Sequence, residues 1–229
     1  MKKITASLIL LALNAGAISL AHASVVVGGT RMVFEGNSDE SSINVTNKDN
    51  KADLVQSWLS VVDPACTDTN ALVVTPPLFR LDAGQKNSIR VIKTGAPLPE
   101  DKESMYWLNV KGIPSTDPNA QKNQVEIAIN TQIKLIYRPK SLLGKSPDSV
   151  TTSLKWSTSG DELTVTNPTP YYMNFALVKV DGEEVKNASF VAPNSKMNFK
   201  LPHAFSHGNV SWRIISDYGM ALEEHNEKI

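Results

Sequence analysis

Apolar residues in this chain recur mainly at every second position, in short runs closed by turn-forming residues. Ser42-Ile43-Asn44-Val45-Thr46-Asn47 alternates and ends in the polar stretch 47–50. Val25-Val26-Val27 precedes Gly28-Gly29, and the run 72–75 stops at Pro76-Pro77. Further apolar, β-branched runs cover 54–62, 88–92 and 104–110, the last ending before Gly112 and Pro114. The longest alternating run is 125–137. Period two, β-branched content and Gly, Pro, Asn or Asp at the boundaries predict strands. No run of helical period with proper caps exceeds about two turns. Seven such strands fill one β-sandwich of ordinary size.

The stretch 138–147, with two prolines, a glycine and three cations, has the composition of an interdomain linker. A second series of runs follows at 153–157, 162–166, 172–180, 190–191, 197–201 and 210–215, and Asp181-Gly182 marks a hairpin turn. The pattern therefore predicts an all-β chain of two sandwich domains, at 24–139 and 146–229, joined by a linker at 140–145.

The run VEIAINTQIKLIYR, residues 125–138, is the most informative. Val125, Ile127, Ile129, Ile133 and Leu135 share one parity, and Glu126, Asn130, Gln132 and Lys134 the other. Residues 125–137 would reach about 40 Å when extended, twice the usual strand length of ~17–20 Å. One small sandwich cannot bury all of that apolar edge. Read as ordinary structure, the run is a long core strand with a bend. Read for function, its first half lies at a sheet edge and offers apolar side chains and free backbone groups to a partner strand. Exposed edges invite aggregation and are normally blunted, so a retained one suggests a use.

Composition narrows the function. The 229 residues carry 23 basic and 23 acidic side chains and a single cysteine. Balanced charge removes the electrostatic footprint of nucleic-acid binding. Lys2-Lys3, the apolar segment 4–20 and Ala21-His22-Ala23 fit a cleavable secretory signal peptide over residues 1–23. Its removal leaves 206 residues and, without those two lysines, 21 basic against 23 acidic groups. No later run has membrane-spanning length, so an exported protein without a membrane span is expected. Cys66 would stand alone in an oxidising compartment, either pairing between chains or remaining a free thiol.

Landmarks of catalysis are missing. His22 falls in the signal segment, and Pro202 and Gly208 flank His203 and His207, which argues against a helix aiming both at one metal. There is no HExxH, no G-x-S-x-G elbow, no Gly-rich phosphate loop and no histidine beside Cys66. The expectation is a protein that is not an enzyme and needs neither metal nor cofactor.

Several ordered segments resemble the periplasmic chaperones of the chaperone–usher pathway, the PapD-like family that assembles pili. They are Thr30-Arg31-Met32-Val33-Phe34, Gln56-Ser57-Trp58, Thr75-Pro76-Pro77-Leu78-Phe79-Arg80-Leu81 and Leu98-Pro99-Glu100-Asp101-Lys102-Glu103-Ser104. Ile133-Lys134-Leu135-Ile136-Tyr137-Arg138-Pro139, Asn167-Pro168-Thr169-Pro170-Tyr171-Tyr172 and Asp217-Tyr218-Gly219 continue the series. Each is weak alone; their order and spacing are specific. The resemblance implies two immunoglobulin-like domains in a boomerang with a cleft between them. It implies pilus (fimbrial) subunits as clients, sandwiches lacking one strand that the chaperone supplies before the outer-membrane usher takes over.

On this resemblance Val125, Ile127 and Ile129 are the donor residues that enter the subunit groove, and Arg31 and Lys134 anchor the subunit's C-terminal carboxylate. Glu103, Arg138 and Asp217 match the family's interdomain salt-bridge network. The short connection between Gly112 and Gln124 resembles the short-loop branch. Self-association of the free protein through the same edge is a further possibility. A secreted structural sandwich protein such as a pilus subunit is the alternative, but the segment 24–29 has no extended alternating extension and one cysteine is too few for an internal disulfide.

Overall fold

The computed structural model describes residues 25–62, 69–116, 125–205 and 207–229. The signal segment 1–23, Cys66, Gln124 and most of the short loop before it lie outside these residues.

Most of the alternating runs become strands that bury one parity and leave the other more exposed, while β8 and the end of β9 are buried on both. In the first half these are β1 (Val25–Val27), β2 (Arg31–Glu35), β3 (Glu40–Asn47), β4 (Asp53–Val61), β5 (Leu72–Thr75), β6 (Leu78–Leu81), β7 (Lys86–Lys93), β8 (Ser104–Pro114) and β9 (Ile129–Arg138). One sheet has the order β1-β3-β7-β5, the other β2-β9-β8-β4-β6. Ile43, Val45, Ile89 and Val91 pack against Phe34, Val55, Leu108, Val110 and Leu135, all buried in one core.

The second half contains β10 (Lys155–Ser159), β11 (Glu162–Asn167), β12 (Met173–Val180), β13 (Glu183–Glu184), β14 (Phe190–Val191), β15 (Ser195–Lys200), β16 (Asn209–Ile214) and β17 (His225–Lys228). Its sheets are β10-β11-β15 and β13-β12-β16-β17, with β14 added to β12. Trp156 and Trp212 meet in its core with ring centroids 5.4 Å apart. The β12–β13 hairpin turns at Asp181-Gly182, both at positive φ, as the two-residue turn requires. Each sandwich also buries an asparagine that closes a turn. Asn47 Nδ2 donates to the carbonyls of Lys51 and Leu81, and Asn167 Nδ2 to those of Tyr171 and Ala192.

Four strands escape the apolar pattern: β2, β6, β13 and β17. β17 (HNEK) has no apolar alternation; it pairs with β16 through the backbone ladder, and its His225 ring stacks on Trp212 with centroids 5.7 Å apart. β8 runs past Gly112 to Pro114 because its ladder with β4 continues to Asp53↔Pro114, beyond its last pair with β9 at Gly112↔Ile129. The largest departure is at β9. It begins at Ile129 rather than Val125, because its pairing with β8 starts at Gly112↔Ile129 and residues 125–128 have no ladder partner among the described residues.

β2 and β9 run parallel and in unbroken register from Arg31↔Lys134 to Glu35↔Arg138. At their far end Gly36 donates its N–H to the Arg138 carbonyl at 2.7 Å. A Cβ on Gly36 would lie 2.8 Å from Lys140 N and 2.9 Å from Pro139 Cα, both rigid backbone atoms. Gly36→Ala is therefore expected to cost about 1–3 kcal/mol through forced backbone displacement. A denaturation midpoint equal to that of the parent protein would show that this backbone yields freely.

Candidate functional site

β9 divides its residues between two cores. Ile133, Leu135 and Tyr137 enter the first sandwich. The opposite parity, Lys134, Ile136 and Arg138, turns toward the second. Ile136 packs with Met105 and Tyr172, which joins the two sandwiches through an apolar contact. The polar face read from the sequence thus becomes, over its last five residues, a face buried between domains.

Arg138 closes β9 and binds both sides of that junction. Its Nε donates to Glu103 Oε1 at 2.7 Å, while Nη1 and Nη2 form a bidentate pair with Asp217 at 2.7 and 2.8 Å. Glu103 Oε2 also accepts the Tyr172 N–H at 2.8 Å, and the Glu103 N–H donates to the Pro170 carbonyl. The Arg138 guanidinium lies 5.6 Å from the Tyr171 ring centroid. Glu103 is only 2% exposed. Burial pushes its carboxyl up, against the Arg138 charge and hydrogen bonds that favour ionisation. Burial alone would lower the Arg138 guanidinium, but the bonds to Asp217 and Glu103 leave it raised. Glu103, Arg138 and Asp217, assigned from sequence resemblance to one network, are here a single hydrogen-bonded group. Its fork geometry suits arginine and would not suit lysine.

Arg31 and Lys134 are neighbours across the parallel ladder. Arg31 Nη1 donates to the Ile215 carbonyl at 3.4 Å, and Lys134 Nζ donates to Asn174 Oδ1 at 2.6 Å. Lys134 Nζ also lies 5.1 Å from the Phe190 ring centroid. Burial, helped by the Arg31 charge, lowers the Lys134 ammonium to about 8. Burial lowers Arg31 too, partly offset by Asp217. Among the described residues no carboxylate is in ion-pair range of either cation, and Arg31 Nε is buried without a hydrogen-bond partner. Two half-desolvated positive charges side by side make an arrangement that an anion would stabilise.

At the other end of β9, Val125, Ile127 and Ile129 are 86%, 72% and 48% exposed. β2 covers only Lys134–Arg138, so Ile129 to Ile133 have β8 on one edge and, among the described residues, no strand on the other. Asn174 and Phe190 were not indicated by the sequence. They lie in buried second-sandwich runs and reach Lys134 only through tertiary packing. Among the described residues no group of three or more His, Cys, Asp or Glu side chains could hold a metal, and no helix is long and apolar enough to cross a membrane.

Known proteins share this layout. Residues 24–143 match the family model of the pili and flagellar-assembly chaperone PapD N-terminal domain, and residues 149–226 that of the pili assembly chaperone PapD C-terminal domain. The chain is 33% identical over 210 residues to the chaperone protein FocC of Escherichia coli, covering 90% of this chain and 91% of FocC. It superimposes on a chain of the Salmonella enterica SafA pilin–SafB chaperone complex with TM-score 0.81 and 33% identity, over 92% of this chain and 99% of that one. The E. coli chaperone DraB gives TM-score 0.78 at 36% identity, over 90% and 98%. Two immunoglobulin-like sandwiches, a cation pair between them and both family models in order along one chain lead to the same conclusion: the protein belongs to the PapD-like family of pilus-assembly chaperones.

Proposed function

We propose that the protein is a periplasmic chaperone that binds fimbrial subunits by lending them the exposed start of β9, and passes them to an outer-membrane usher. The observation that carries this is the open apolar edge at the start of β9 with, five residues on from Ile129, Lys134 paired across the ladder with Arg31 of β2. A client strand lying along Ile129 to Ile133 on the uncovered edge would be in line with β2. It would run up against Arg31, the first residue of β2. For its C-terminal carboxylate to meet Arg31 and Lys134, that strand must run parallel to β9, as β2 does. The cations then set register, because a slip of one residue would turn every client side chain to the wrong face. Charge-assisted hydrogen bonds make such an anchor strong and directional. Val125, Ile127 and Ile129 would fill the apolar groove left by the missing strand. In the free protein a second copy can use the same edge.

Ile127→Glu tests the donor assignment. A charge pressed into an apolar groove is costly, so recovery of a co-expressed fimbrial subunit is expected to fall about tenfold or more. The chaperone's own stability should stay within about 0.5 kcal/mol, as for other exposed positions. Undiminished recovery would remove Ile127 from the interface.

A further inference from the structure

The Lys134 side chain is long and flexible, yet its ammonium is fixed by two residues of the other sandwich. Asn174, on β12, is 2% exposed and accepts from Lys134 Nζ at 2.6 Å. Phe190, on β14, presents its ring 5.1 Å away. Asn174 and Phe190 face each other in register, and the Asn174 carbonyl accepts the Ile215 N–H at 2.7 Å, which ties the pair to the backbone that also receives Arg31. We propose that Asn174 is a positioning residue for client capture: a neutral acceptor that aims the Lys134 ammonium at the incoming carboxylate without consuming its charge. The proposal rests on the chaperone reading above and adds to it that the anchor is built by both domains.

The choice of residue type follows from the charges around it. Lys134 faces Arg31 from β2, the neutral Asn174 from β12, the neutral Phe190 ring from β14 and Trp107 in register on β8. Asp217 acts on Arg31 rather than forming an ion pair with Lys134. An aspartate at position 174 would make the same hydrogen bond but would neutralise the ammonium and compete with the client. An apolar residue would leave the ammonium without its acceptor and depress its protonation further, since burial already disfavours the charged form. Only a neutral acceptor keeps Lys134 both charged and unpaired. Because that acceptor belongs to the second sandwich, the anchor is complete only when the two sandwiches keep their relative placement.

The test uses the intact chain, Asn174→Leu and Asn174→Asp. The Lys134 ammonium is titrated by NMR without client. Binding is measured for a peptide of alternating valine and threonine with a free C-terminal carboxylate and for the same peptide amidated. In the parent protein the midpoint should lie near 8, and the acid should bind about tenfold or more tighter than the amide. Asn174→Leu should lower the midpoint and the acid-to-amide ratio together. Asn174→Asp should raise the midpoint yet bring the ratio close to one. A purely structural asparagine would not move the two readouts in opposite directions in the aspartate variant. An unmoved midpoint in Asn174→Leu, or a full acid preference in Asn174→Asp, overturns the proposal. If the parent protein itself does not distinguish acid from amide, the carboxylate-anchor reading fails and this inference with it. Should Asn174→Leu fail to fold, Asn174→Ser shortens the acceptor beyond reach and carries the same expectation.

Discussion

Arg138→Ala is expected to destabilise the protein by about 3–5 kcal/mol, the range for removing one partner of a buried ion pair. For a chain of this size that corresponds to a loss of melting temperature of roughly 6–20 °C. The cause is what stays behind. Glu103 would keep its place at 2% exposure with the Tyr172 N–H as its remaining bond in the group, and Asp217 would lose both donors. The effect depends on pH with a definite sign. Burial raises the Glu103 carboxyl in the folded state, and a group raised in this way contributes its full stability below its unfolded value and loses it as pH rises through the folded one. Without Arg138 the folded value climbs further. The gap between variant and parent should therefore be wide at pH 7.5 and narrow as pH falls toward about 4.5. Thermal melts at the two ends of that range decide it, and equal gaps at both would contradict a buried ion pair.

Lys134→Ala and Arg31→Ala should each abolish recovery of a co-expressed fimbrial subunit while leaving the chaperone folded. Truncating one partner of a buried hydrogen-bonded charge pair costs about 2–5 kcal/mol in binding, some 30-fold or more in affinity. The free protein should tolerate the loss. Lys134 is lowered to about 8 in the folded state, against an unfolded value near 10.4, so its charge costs stability below pH 8 and the cost disappears only above the unfolded value. Removing it relieves that cost and the repulsion with Arg31. Binding carries the opposite sign. An anion holds the proton on Lys134, so affinity should be greatest below pH 8 and fall by up to tenfold per unit as pH rises through it. Lys134→Ala should flatten that dependence. Subunit recovered in undiminished yield with either variant would exclude the cation pair as anchor.

The strands that bury one parity were legible in the sequence because period two with β-branched residues has few other solutions. β2 was visible only through its resemblance to a family segment, since RMVFE has a single β-branched residue and a charge at each end. β13 and β17 lack apolar alternation and owe their pairing to neighbours. Arg31, Lys134, Glu103, Arg138 and Asp217 each read as ordinary surface charges on local grounds; only family spacing set them apart. The fold makes them unusual by turning one parity of β9 from solvent to a second domain at Lys134. Asn174 and Phe190 gave no signal, because a buried asparagine between Met173 and Phe175 acquires meaning only from a lysine 40 positions earlier.

Arg138 is the last residue of β9, and its acids come from Glu103, on the segment leading into β8, and from Asp217, far along the second sandwich. The two halves are consequently poor candidates for independent recombination. A hybrid that joins this N-terminal half to a foreign C-terminal half would strand a guanidinium unless the newcomer also brings an acid to that spot. The halves are thus bound to travel through descent as a matched set, even though each has a core of its own.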